Sequence, residues 1–170
     1  GEVVWDKVYG GNKPDHCFGM DINDEGEIFL TGHTLSGTQN WDTYTMKINN
    51  DGNQVWETKA GNPRGFDPKY IHDEAWGVKS TKDGGCVIVA GTGDEYNNYK
   101  KKCGTQGDNS NTWHVYVVKL NSNGEVSWQK TYGGEKGTNW AGEDIDLTED
   151  GGAIIGVDNG EFGFLKLGDF

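Results

Sequence analysis

Apolar positions along this chain fall into short runs and strict alternations. Ile28-Phe29-Leu30, Cys86-Val87-Ile88-Val89-Ala90 and Ala153-Ile154-Ile155 are nearly continuous apolar segments, the pattern of a strand covered on both faces. Val126, Trp128, Lys130 and Tyr132 alternate with polar neighbours, and Val3, Trp5, Lys7 and Tyr9 repeat that phase, as a strand with one buried face does. Gln54, Trp56, Thr58 and Ala60 are a weaker copy of it. Between these lie Thr43–Ile48, Val115–Leu120 and Phe162–Leu167. The segments beginning at Phe18, Trp76 and Glu143 complete a set of four predicted strands per unit. Turn chemistry separates them: Asn23-Asp24-Glu25-Gly26, Lys82-Asp83-Gly84-Gly85 and Glu149-Asp150-Gly151-Gly152 combine Asp or Asn with a glycine able to take positive φ.

The units share one register. Lys47 precedes Trp56 by nine positions across a turn containing Gly52, and Lys119 precedes Trp128 by nine across a turn containing Gly124. The third lysine, Lys166, has only four residues after it. If Gly1 is read as following Phe170, Lys166 and Trp5 acquire the same separation, and Gly1 falls where Gly52 and Gly124 fall. The first residues therefore have the pattern of the missing last strand. This predicts a closing strand at 1–11, repeat 1 at 12–60, repeat 2 at 61–134 with an insertion at 91–113, and repeat 3 at 135–170. An unpaired strand would leave its backbone groups without ladder partners, so the opening segment should pair beside Lys166, within one chain or between two.

The combination Trp5-Asp6-Lys7-Val8-Tyr9-Gly10-Gly11, Asp15, Gly26-Glu27-Ile28-Phe29-Leu30-Thr31-Gly32-His33-Thr34, Asp42-Thr43-Tyr44-Thr45-Met46-Lys47-Ile48 and Gly52-Asn53-Gln54-Val55-Trp56 resembles the bacterial β-propeller repeat of the SBBP kind, over nearly the whole chain. The resemblance implies an all-β, propeller-like fold with one four-stranded blade per repeat. Propellers have about 4 to 8 blades. Three repeats therefore point to a six-bladed ring made by two chains meeting head to tail, or alternatively to a three-fold β-prism or trefoil-like monomer, or a fragment of a longer propeller. Trp140 stands near the place of Asp15 and Asp73, and Gly163 interrupts the third strand of the last repeat, which marks that repeat as divergent.

Composition narrows the function. The 170 residues contain 28 glycines and 33% apolar residues and carry a net charge of −12. There is no basic stripe to neutralise phosphates, which disfavours nucleic acid and anionic membranes as partners. No apolar run approaches the roughly 18 residues that span a bilayer. A start at Gly1 without an initiator Met is the expectation for a processed product; with the abundant Trp, Tyr, Gly and Asn it suggests a secreted or extracellular β-protein. Cys17, Cys86 and Cys103 are odd in number and lack metal spacing; Cys17 and Cys86 read as buried thiols.

Chemistry is expected where the repeat length breaks, because loops on a rigid scaffold concentrate binding residues. Within 91–113, Tyr96, Tyr99 and Trp113 could stack on a pyranose ring while Asp94, Asn97, Asn98 and Asp108 bond its hydroxyls. A solvated loop ending in a strand residue, Trp113, is the alternative. His72 and His114 are further ligand-binding candidates; His114 aligns with Asp42 and Glu161, which could ring one face. The acidic turn Asp21–Glu27 superficially resembles a calcium loop but lacks the EF-hand spacing. Calcium is thus an option, with no cofactor otherwise expected and the metal ligands unknown. No nucleophile elbow, phosphate loop or zinc-protease motif is present. The leading expectation is a non-catalytic, lectin-like protein, a homodimer or other homo-oligomer that binds carbohydrate or glycoprotein. A polysaccharide-degrading enzyme, or a fragment of one, and a structural extracellular-matrix assembly subunit are the alternatives.

Overall fold

A computed structural model describes residues 1–61, 63–94, 112–134 and 138–170. Among the described residues there is no helix, and eleven strands form three antiparallel sheets. The first sheet contains β1 (Asp15–Ile22), β2 (Ile28–Thr34), β3 (Asp42–Ile48) and β4 (Gln54–Ala60) in chain order. The second contains β5 (His72–Ser80), β6 (Cys86–Gly93), β7 (His114–Leu120) and β8 (Val126–Tyr132). The third has only β9 (Ala141–Leu147), β10 (Ala153–Asp158) and β11 (Phe162–Leu167). None of the sheets closes into a barrel. Gly163 does not prevent β11 from forming, since Phe162 to Leu167 pair without interruption against Asp158 to Ala153.

The hairpins follow their turn residues. Gly26, Gly52, Gly84, Gly124 and Gly151 all have φ between 72° and 83°, a conformation that glycine adopts without a Cβ clash. In three turns an asparagine organises the backbone, as when Asn121 Oδ1 accepts from Asn123 N and Glu125 N at 2.9 and 3.0 Å. The repeated lysines have an equally local reason. Lys47 pairs with Glu27 at 2.7 Å, Lys119 with Asp83 at 2.7 Å and Lys166 with Asp150 at 2.9 Å. Each ties the end of a sheet's third strand to the turn between its first two. Burial pushes the Asp83 carboxyl up, but the hydrogen bonds from Lys119, Thr81 and Gly85 N outweigh it and hold the group at about 2.

The sheets stack face to face, with β1 against β5 and β5 against β9. Phe29 meets Ala75, Val78, Ile88, Tyr116 and Val118 in one apolar core, and Val87, Val89, Val115 and Val117 meet Ile145, Ile155 and Val157 in the other. Alternate residues of β6 thus serve both cores, so all eight of its residues are buried. The expectation of a doubly covered second strand holds fully only there. In β2 and β10 every other apolar residue is partly open, because each outer sheet has a neighbour on one side only.

Each last strand is seated on the following sheet by a tryptophan. Trp56 Nε1 donates to Ser122 O at 3.0 Å, and Thr58 Oγ1 bonds Gly124 O. A Cβ at position 124 would lie 2.6 Å from Trp56 Cδ2, so glycine there serves the docking as well as the turn. Trp128 likewise packs edge-on against Phe170 with ring centroids 5.4 Å apart.

The opening residues correct one expectation. Positions 1–11 form no strand and no ladder with β11, so closure within one chain does not occur. Trp5 instead donates from Nε1 to Asn50 O at 3.2 Å, and Tyr9 OH donates to Gly52 O at 2.6 Å. Cys17 is a second correction: it is exposed, whereas Cys86 is buried. The reason is that β1 belongs to an end sheet and Cys86 to the middle one. Burial pushes the Cys86 thiol to about 12. Cys103 lies outside the described residues.

Replacing Lys119 by Met should cost about 1–3 kcal/mol, the usual loss for a charge-assisted, largely buried hydrogen bond. Lys166→Met should change stability far less, because the Lys166 side chain is itself 44% exposed where that of Lys119 is 7% exposed. Urea unfolding of the two variants checks the order; equal losses would refute it.

Candidate functional site

The first strand of every sheet carries a β-bulge at the same place: between Cys17 and Gly19, between Ala75 and Gly77, and opposite Gly156 and Val157 in β9. A bulge inserts one unpaired residue and re-aims its side chain. The three inserted residues are Phe18, Trp76 and Glu143, so one repeated backbone device presents an aromatic, an aromatic and an acid from neighbouring strands.

Where the first two sheets meet, rings fill the space. Phe18 lies 4.4 Å from Trp76 and stacks with His33 at 5.1 Å. His33 meets Trp41 and His16 edge-on at 5.0 and 5.1 Å, and His16 Nδ1 approaches His33 Nε2 at 3.2 Å. Burial holds His33 below its usual value, which favours its neutral imidazole. The rings stack on one another across this gap, with Phe18 half-exposed.

Where the second and third sheets meet, the equivalent place is open. Gly91 stands in register where the first sheet has His33, each paired opposite the third residue from the bulge end of its first strand. Trp113 lies over Gly91 and Gly93, so close that a Cβ at either would fall 2.9 or 2.7 Å from its ring. With Glu143 in the position of Phe18 and Trp76, no third aromatic closes the gap. A cleft of about 530 Å³ results, within the usual range for ligand pockets, walled by Trp76 and Trp113 and rimmed by Glu74, Glu143, Asp158, Asn139 and Asn159. Asn139 Oδ1 accepts from Trp113 N at 3.0 Å, and Trp140 N donates to Trp113 O at 2.8 Å, fixing the wall.

The acids are unequal. Partial burial raises the Glu143 carboxyl, and the charges of Asp158 and Glu74 add to the effect. Burial also raises Glu74, but the hydrogen bond with His72, 3.2 Å from Nδ1 to Oε1, and the nearby histidines leave it lowered. The cleft therefore combines an ionised carboxylate with a more basic one.

Of the residues expected to bind ligand, Trp113 lines this cleft. Tyr96, Asn97, Asn98, Tyr99 and Asp108 lie outside the described residues. Asp94 and His72 are each 3% exposed; His72 supports the cleft through Glu74. His114 is half-buried and held down to about 4, by burial and then by the Arg64 charge. Arg64, in the linker before β5, donates to Thr112 O at 3.0 Å. In the acidic turn, Asn23 Oδ1 accepts from Glu25 N and Glu27 N, Glu27 pairs with Lys47, and Asp21 bonds Ser80 at 2.6 Å through Oγ. Turn formation and packing thus occupy those groups. Trp76, Glu74, Glu143 and Asp158 were not singled out from sequence; the exchange of His33 for Gly91 and of an aromatic for Glu143 between aligned repeats was the available signal.

The chain matches no protein-family model, and no curated protein matches it in sequence.

Asp42 illustrates the cost of an acid between sheets. It and the wholly buried Asp73 both approach Gly61, where a Cβ would lie 2.8 and 2.6 Å from their oxygens. Burial raises Asp42 from 3.8 to about 6, against the opposing Lys59 charge. The folded state then holds a proton that the unfolded chain has released, so stability falls as pH rises from 3.8 to about 6. Asp42→Asn should raise the melting temperature at about pH 7 and change it little at about pH 4. Calorimetry at the two pH values checks this; a uniform shift would refute it.

Proposed function

We propose that this protein is a non-catalytic carbohydrate-binding module of the propeller type, acting outside the cell and holding a saccharide in the cleft between its second and third sheets. The observation that carries this reading is the open wall of Trp76 and Trp113 beside Glu74, Glu143, Asp158 and the two asparagines. Tryptophan faces match the C–H face of a pyranose, and carboxylates and amides match its hydroxyls. Three acids around the cleft and a net charge of −12 repel uronates and sialylated glycans and favour neutral or amino sugars. The resemblance of the repeats to SBBP-type propellers is a further ground for this reading. Calcium has no role in this proposal.

Isothermal titration with glucosamine, glucose and galacturonate oligosaccharides tests it. Binding of the first or second and not the third is expected, with Trp113→Ala weakening it about tenfold or more, the loss of one ring contact of about 1.4 kcal/mol. No heat with any saccharide would overturn the proposal.

Glu143 favours a second reading. A carboxyl raised by burial beside another acid is the state of a general acid in glycoside hydrolysis. Reducing-end release from the same oligosaccharides, lost in Glu143→Gln while binding persists, would establish a hydrolase. Binding without release in the unaltered protein would exclude that reading.

A further inference from the structure

The two ends of the stack are complementary, and the complement is visible inside the chain. Facing the third sheet, Val115 and Val117 are 0% exposed, whereas the equivalent side chains of the third sheet, Phe162 and Phe164, are 99% and 68% exposed. On the opposite end, Met20 is 63% exposed, although its equivalents Val78 and Ile145 are 3% and 2% exposed. One end thus bears the back of an inter-sheet core and the other end its front.

The strand inventory is unbalanced in the same sense. The third sheet stops at β11, whose outer edge has no ladder partner among the described residues. The opening segment has the alternation of a fourth strand, and it is already seated as one. Trp5 donates to Asn50 O on the first sheet as Trp56 donates to Ser122 O on the second. Tyr9 reaches Gly52 O as Thr58 reaches Gly124 O. It therefore occupies the place of the outermost strand of a preceding sheet whose other strands this chain does not supply, and Val4 and Val8 remain 92% and 98% exposed.

We infer that a second copy of this chain fills that place. The third sheet of one copy stacks on the first sheet of the other, burying Phe162 and Phe164 against Met20 and Leu30, and the opening segment of the second copy becomes its fourth strand. The register follows from β7 and β8, where Lys119 pairs with Trp128, Val117 with Lys130 and Val115 with Tyr132. Transferred to the new seam, Lys166 pairs with Trp5, Phe164 with Lys7 and Phe162 with Tyr9. The contact continues the packing already made twice within the chain, and it covers an open strand edge and an exposed apolar face that would otherwise invite aggregation. Two copies exchanging this contact satisfy both ends of each and close by two-fold symmetry. The inference is independent of what the cleft binds.

Light scattering of the full chain should give twice 18.7 kDa. Phe164→Asp should return the mass to one chain with its β circular-dichroism spectrum retained. In a background with Cys17, Cys86 and Cys103 replaced by Ser, Lys7→Cys with Phe164→Cys should form a cross-link between two chains on mild oxidation. A single-chain mass for the unaltered protein, a Phe164→Asp protein that keeps the doubled mass, or a cross-link confined within one chain would each overturn the inference. A single-chain mass would point instead to further sheets of a longer polypeptide as the occupant.

Discussion

The constraint on which this structure depends is that a twisted antiparallel sheet of this composition must be covered on its apolar faces. Among the described residues only the second sheet achieves this on both sides. Its β6 sends Cys86, Ile88 and Ala90 toward the first sheet and Val87 and Val89 toward the third. Apolar burial contributes about 25 cal/mol per Å², and these two contacts hold three otherwise separate hairpin sheets in one stack. The same requirement leaves Met20 at one end and Phe162 and Phe164 at the other uncovered, so the fold carries within itself the form of its own continuation.

Three local devices keep the stack in register. Turn glycines with positive φ set the hairpins, a lysine at the end of each third strand binds an acid in an adjacent turn, and a tryptophan from each last strand lies over the next unit's turn. The lysine and tryptophan are the same residues whose fixed separation makes the repeat visible in the sequence. Their spacing reflects two jobs: one closes a sheet on itself, and the other docks it on its neighbour.

The cleft arises where this regularity is relaxed. All three first strands bulge at one position, but the residue thrust out is aromatic in two and acidic in the third. The first inter-sheet gap is filled by Phe18, Trp76, His33 and Trp41, and the second remains open because Gly91 replaces a histidine and Glu143 replaces a ring. A cleft thus needs no new element, only smaller or charged residues at positions that elsewhere complete the packing. Opening that gap leaves Trp76 and Trp113 half-buried and places Asp158 and Glu74 where their charges add to the burial that raises the Glu143 carboxyl.

Period-two alternation, short apolar runs and Gly-containing turns by themselves determined an all-β chain of three related units and nearly every strand in it, because these patterns act locally through pleat geometry and φ preferences. The nine-residue spacing from Lys166 to Trp5 also gives the opening segment the sequence pattern of a last strand. Tertiary structure alone decided that this segment lies on the first sheet and not beside β11, that Cys17 is exposed while Cys86 is buried, and that Trp113 shares a cleft with Glu143. Each of those outcomes depends on which sheet faces which and on how far a bulge turns a side chain. Such relations join residues far apart in sequence, so no local pattern encodes them.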